Sequence, residues 1–589
     1  MKKHFKTVGG LRPGKSAFDL THEYKTSCDF GMLIPCLCEE VDAGDVWKIK
    51  TDMIVRLQPL VSPIMHEVNA TIHFFFTPFR TLWSDWENFL TGGEEGNFSK
   101  PIPLWGQDGG TYGGSSSPFT DEEIVFNSEV GNRYLFDYMP GLPGNITDPS
   151  SDRRMVQILG SYTDPNNSIP IDLYRRAYYF IYNEYYRDEN LEDKYSFKEE
   201  HYDSEGMPID GYRNPQILAG DVGTRHNRIL RRAWEKDYFT SALPFILRGT
   251  PPAVPLIGST RAIFNDAMES ITTNVTIPTT VSRHTLQGQT NPFMQGPAIY
   301  GQSQTGSPPL EKLTSWLSRN NQIDMSVVGG LGWNQIREVA QLHKWMERNA
   351  RAGVRYTEFL RSHFGVAPRD DRLQRPEYIG GVRNPVIVSE VLQTSQTTTQ
   401  SPQATMAGHG LVANQGRTSS YRVQEPGIIM GIFSCMPRTT YTQGIRRQYT
   451  RRTNTEFYFR EFANLGEQAV LNKEIFINVD NSYNANIANT EFGFQPRYDE
   501  KRYIPSYATN LMRVPLANGG LNFWHMGRIF NTQPNLNESF IKLDENELQQ
   551  MKRIFAVPSQ PGLLVNLVHH ITAIRPMPLI GEPGLIDHF

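Results

Sequence analysis

Apolar and polar residues alternate most cleanly between Val68 and Phe76. Val68, Ala70, Ile72, Phe74 and Phe76 are separated by Asn69, Thr71, His73 and Phe75. A period of two predicts a strand with one strongly apolar face. Val46–Leu57, Pro385–Leu392, Gly427–Phe433, Glu456–Phe459 and Leu563–Ile574 are further strand candidates. Helical periodicity is scarcer. Leu82–Leu90 places Trp83, Trp86 and Leu90 on one side. Ile171–Arg187 repeats Tyr178, Ile181, Tyr182 and Tyr185. Gln335–Phe364 aligns Ile336, Val339, Ala340, His343 and Met346, with an interruption near Gly353. Core packing is the ordinary role of such apolar stripes.

Between these segments, residues 97–135, 250–330 and 393–420 are rich in Gly, Ser, Thr, Gln and Asn and show little periodicity. Loops of that length are functional or disordered. An eight-stranded jelly roll uses only about 40–80 strand residues. The pattern therefore predicts a mainly β chain, an antiparallel jelly roll with strands dispersed over residues 18–589. Long loop insertions and a few helices would fill the rest.

Composition narrows this reading. The 589 residues carry 48 Gly and 39 Pro, spread along the chain, which implies many turns. Net charge is −4, so any nucleic-acid contact must be local. Residues 1–17 form such a place: Lys2, Lys3, Lys6, Arg12 and Lys15 stand there without an acid, as a basic arm. No run approaches the ~18 apolar residues of a membrane span, and no apolar stretch follows the basic start as in a secretory signal. Four cysteines make no disulfide framework, and a reducing cytoplasm is the expected place of synthesis.

Catalytic patterns fail on spacing. Cys28, Cys36 and Cys38 lack the C-x2-4-C pairs of zinc sites. His66-Glu67 is followed by His73 rather than by a histidine three residues after the Glu. His569 and His570 are adjacent on a strand and so point to opposite faces. No nucleotide loop or nucleophile elbow occurs, and the adjacent pairs Glu39-Glu40 and Asp370-Asp371 read as solvated. Neither catalytic residue, metal nor cofactor is expected. One further cluster stands out. Arg446-Arg447 and Arg451-Arg452 interleave with Tyr449 just after Tyr441. Arginines beside aromatics can hold phosphates and stack on unpaired bases; they can equally pair with acids across a subunit interface.

Three blocks stand in order in the last third. They are Arg361–Val366 with Leu373–Gly381, then Met436–Ile445 with Leu465–Gln468, then Pro583–Phe589. With His73–Phe76, Asp237–Pro244 and Leu521–His525 upstream and between, this ordered set resembles the major capsid proteins of the Microviridae, most of all the gokushovirus branch. The resemblance implies a jelly-roll subunit, sixty of which form an icosahedral shell around a single-stranded DNA bacteriophage genome. It implies a virion protein made in the bacterial cytoplasm, without enzymatic activity. Pilot, scaffolding and small DNA-binding proteins and a host surface receptor are the implied partners. It also implies an insertion projecting at the threefold axes, expected within 250–330, with 97–135 as second choice. A β-rich carbohydrate-binding protein or glycoside hydrolase is the alternative, and would need two carboxyls ~5–9.5 Å apart in a cleft.

Overall fold

Strands from both ends of the chain meet in one core. The computed structural model describes residues 14–103, 135–141, 171–201, 209, 212–213, 229–252, 262–264, 321–323, 333–392, 406–414, 416–477, 489–513 and 520–579. Lys2, Lys3, Lys6, Arg12, most of 97–135 and 250–330, and the block Pro583–Phe589 lie outside the described residues. The chain divides into two units, one of residues 1–246 and 350–589, the other Leu247–Asn349.

The first unit is built on two antiparallel sheets. In chain order the strands are β1 (Ser16–Asp19), β2 (His22–Cys28), β3 (Ile34–Val41), β4 (Val46–Leu57), β5 (Val68–Pro78), β6 (Glu377–Pro385), β7 (Ile387–Leu392), β8 (Met406–Asn414), β9 (Ser419–Arg422), β10 (Gly427–Pro437) and β11 (Leu563–Arg575). β11 pairs with β4 from Leu563↔Leu57 to Ile574↔Val46, and with β2 and β1 on its other side. β4 continues to β8 and β9, and β8 to β7. The second sheet runs β6-β5-β10-β3. This mainly β, antiparallel architecture is consistent with the jelly roll expected from the patterning.

The first sheet has one buried face. Trp47, Ile49, Met53, Val55 and Leu57 of β4 and Leu563, Val565, Leu567 and Ile571 of β11 point inward. Thr51 and His569 share that buried face, and the residues alternating with it are half-buried or exposed, as a period of two requires. The second sheet departs from expectation, because nearly all of β5 is buried on both faces. Phe74 meets His569 of the first sheet, ring centres 6.4 Å apart. Phe75, on the opposite face, packs on Tyr185 at 4.7 Å. The aromatic segment after Ile171 supplies that outer cover. Sandwiched strands tolerate polar residues only when these are paired. Thr71 and Ser434 bond each other at 2.8 Å, and His73 Nδ1 meets the Tyr186 hydroxyl at 2.8 Å.

The helices correct several expectations. Leu82–Leu90 is two short helices, Phe79–Leu82 and Trp86–Thr91; Trp83 between them is extended and buried while Leu90 is exposed. Leu173–Ile181 is helical and widens into a π turn at Tyr182–Tyr186. Trp333–Ala352 and Tyr356–Phe364 are broken at Gly353, whose φ of 103° is left-handed. In Trp333–Ala352 only Ala350 is buried, so the stripe from Ile336 to Met346 is not core. No described helix is long and apolar enough to cross a membrane. In the second unit, Ala262–Phe264 pairs antiparallel with Asn321–Ile323.

Candidate assembly and nucleic-acid surface

The basic-aromatic segment after Tyr441 rests on a second, smaller core of Tyr238, Phe239, Tyr441, Val470, Phe492 and Phe540 among others. Two strands, Glu467–Leu471 and Glu491–Pro496, flank it. Asp237 ties it down: its Oδ2 accepts from the hydroxyls of Thr439 at 2.6 Å and Tyr441 at 2.8 Å. Two of the matching sequence blocks are thus joined by one carboxylate.

The four arginines separate by role. Arg447 donates to the Ala469 carbonyl and pairs with Glu474 at 3.2 Å. Arg451 pairs with Glu500 at 2.6 Å, both largely buried. Burial works against ionisation of Glu500, but hydrogen bonds from Gln468 and Arg451 outweigh it and hold its carboxyl below the usual range. The expected acids across a subunit boundary are, for these two arginines, acids of the same chain. Arg446 lies 5.6 Å over the Tyr507 ring, and Arg452 is exposed. Of the basic arm only Lys15 is described; its Nζ donates to the Gly44 carbonyl at 2.6 Å.

Glu456–Phe459 is not a strand. Asn454–Glu456 is a 3₁₀ turn capped by Thr453 and Glu456. Phe457, Tyr458 and Phe459 beyond it are exposed, as are Tyr449 (73%), Leu465, Tyr503 (57%) and Ile504. Two of these rings meet cations: Lys501 lies 6.0 Å over Tyr458, which also packs on the buried Tyr498 at 5.1 Å, and Arg451 lies 5.6 Å over Phe457. The exposed run Phe457–Phe459 is a candidate interaction surface. Arginines among its rings suit a protein or a nucleic-acid partner. The apolar run at Phe457 was its signal in the sequence, but a run of this kind does not report exposure.

The other candidate groups are structural. Cys28, Cys36 and Cys435 are buried, Cys38 is half-buried, and all four are unpaired thiols. His66 Nε2 meets the Arg438 carbonyl at 2.7 Å. His569, pushed down to about 3 by burial, bonds Thr51 at 2.8 Å, whereas His570 faces Asp52 at 3.0 Å on the other side of the strand. Asp370, read as solvated, accepts from Arg375 Nε at 2.6 Å. Among the described residues no group of three or more metal-ligating side chains comes together.

Comparison with known proteins gives these surfaces a context. The family described as capsid protein (F protein) matches residues 7–111 and 153–585. A capsid protein VP1 from Chlamydia phage 1 is 31% identical over 99% of this chain and 98% of its own length. A capsid protein VP1 from Bdellovibrio phage phiMH2K is 28% identical over 99% of this chain and 98% of its own. The capsid protein VP1 of Spiroplasma virus 4 is 24% identical over 99% of this chain and 97% of its own.

Proposed function

Because this chain belongs to the phage capsid-protein (F protein) family of the Microviridae, we propose that sixty copies close into an icosahedral shell around a single-stranded DNA genome. The chain is a major capsid protein, a structural component of the virion rather than an enzyme. The observation carrying the finer reading is that family similarity runs almost from end to end. Strands from both termini are knit into one sheet, so the whole first unit serves as one wall element. Shell closure uses heterologous contacts around the fivefold and threefold axes and isologous ones at the twofolds. The exposed side chains of Tyr449, Phe457 and Tyr503 are suited to such contacts.

The basic arm (Lys2, Lys3, Lys6, Arg12, Lys15) faces inward and neutralises phosphate, helped by Arg446 and Arg452; Arg447 and Arg451 hold that segment in place. Pilot, scaffolding and small DNA-binding proteins complete assembly in the bacterial cytoplasm. Residues 250–330 project outward and attach the particle to a host receptor. Their enclosure by the unit Leu247–Asn349 supports treating them as an insertion. Three copies meeting at a threefold would convert weak contacts into avid ones. Shortening the loop between Thr272 and Ser307 should leave particles visible by electron microscopy but abolish attachment to cells. A shortened protein that cannot assemble would make the segment an interface element. A small oligomer in solution, instead of pentamers or shells, would favour the hydrolase alternative.

A further inference from the structure

Beneath β6, on the outer face of the second sheet, lies a cavity of about 630 Å³, within the ~300–1,000 Å³ of small-ligand sites. Its rings come from β5, β6 and the π turn. Tyr378 is 49% exposed, with its ring centre 5.6 Å from Phe75 and 5.9 Å from His73. His73 stacks on Tyr186 at 5.9 Å. Burial, and then Arg232, hold His73 down to about 4, so it adds no charge near neutrality.

Most charges around the cavity are already matched. Lys236 pairs with Asp188 at 2.5 Å, Arg375 with Asp370 at 2.6 Å, and Glu235 with Arg383 at 2.7 Å. Arg232 is the exception. Its Nη1 donates to the neutral hydroxyls of Thr71 at 2.6 Å and Ser434 at 3.0 Å. Among the described residues no carboxylate lies within ion-pair distance of it. A half-buried guanidinium held rigidly without a counter-ion, beside a partly open aromatic face, selects a ligand with one anionic group and one flat ring. The acceptors of Glu235 and Asp370 at the wall suit ring N–H groups.

We propose that this cavity binds one nucleotide of a single-stranded nucleic acid, with the base against Tyr378 and a phosphate on Arg232. The proposal rests on the reading that the shell encloses single-stranded DNA. It adds an ordered contact distinct from the basic arm and the Arg446–Arg452 segment. An acidic peptide with an aromatic side chain is the competing occupant, but the cavity holds only one uncompensated cation, which matches one phosphate.

The test uses the full-length protein and a short oligothymidylate bearing 5-iododeoxyuridine. Ultraviolet cross-linking and peptide mapping should place the adduct on Tyr378 or its tryptic peptide. Tyr378→Ala should weaken oligonucleotide binding about tenfold, the loss typical of one stacked base. Arg232→Gln keeps a donor for Thr71 and Ser434. It should lower the slope of log affinity against log salt by about one, which a purely structural role would not do. Particle formation by both variants reports folding; if Arg232→Gln fails it, Tyr378→Ala and the cross-link still decide. Unchanged affinity in Tyr378→Ala, adducts confined to other segments, or protection of Tyr378 by an acidic peptide and not by the oligonucleotide would overturn the proposal. Particles that package DNA but show no adduct here refute this site alone. Particles without nucleic acid refute the genome reading as well.

Discussion

Glu358 is the group whose ionisation should set the stability of the shell subunit near neutral pH. It sits in the first turn of Tyr356–Phe364, against Glu189. Both carboxyls crowd Gly353: a Cβ there would collide with Glu358 Oε2 and lie 2.6 Å from Glu189 Oε1. Arg355 serves both, at 3.3 Å and 3.7 Å, while its other amino group donates to the carbonyls of Asn183 and Arg187. Glu189 also accepts from the Val354 amide at 2.7 Å. The buried Oε2 of Glu358 faces no donor, and when protonated the carboxyl can donate to Glu189. Burial first, and then Glu189, push Glu358 up to about 7, with Arg355 opposing. Glu189 is also penalised by burial, but contact with Glu358, Arg355 and the Val354 amide holds it below its usual range.

The two carboxyls act in different pH windows. Glu358 binds its proton more tightly folded than unfolded, so stability should fall as pH rises from about 4.5 to about 7 and then level. Glu189 has a depressed value, so its contribution is present above 4.5 and is lost only at lower pH. A tenfold difference in proton affinity between the folded and unfolded chain is worth about 1.4 kcal/mol. Glu358 is 36% exposed, so solvent screening reduces the expected loss between pH 5.5 and 8 to about 1 kcal/mol. Glu358→Gln replaces the neutral acid with a neutral donor. Urea unfolding should find the variant's advantage over the parent about 1 kcal/mol larger at pH 8 than at pH 5.5, where the unfolded carboxyl is already ionised in part. If the parent's decline across this range persists undiminished in the variant, the assignment to Glu358 is wrong.

Two further outcomes separate structural from exposed cations. Arg451→Ala leaves Glu500 buried without its ion pair and should cost about 3 kcal/mol in urea unfolding, whereas the exposed Arg452→Ala should stay within about 0.5 kcal/mol; equal costs would refute the division of the cluster. Replacing Lys2, Lys3, Lys6, Arg12 and Lys15 together with Gln should reduce DNA retention, most sharply at raised salt, with shell geometry intact in micrographs; unchanged packaging would remove the arm from the genome-binding surface.

The strands of the sandwich were legible in the chain because their apolar residues are buried by the chain itself. β4 occupies Val46–Leu57 as its alternation implies, and β5, β10 and β11 begin where their patterns begin. The second buried face of β5 was harder to see. Asn69, Thr71 and His73 look like a solvent face until Glu67, two residues from Asn69, and Ser434 and Tyr186, from other parts of the chain, satisfy them. The charged cluster was legible as a cluster but not in its pairing, since Glu474 and Glu500 approach Arg447 and Arg451 only through the second core. The outright misreadings share one physical origin. Phe457–Phe459 and the stripe from Ile336 to Met346 are apolar at regular spacing, and yet are exposed or only half-buried in the single chain. Periodicity reports which face avoids water, not which molecule covers it. In a protein that works only in many copies, residues kept for a neighbouring subunit carry the same pattern as residues kept for the core. Regular apolar spacing without burial in the monomer therefore marks where contacts with other molecules should be sought first.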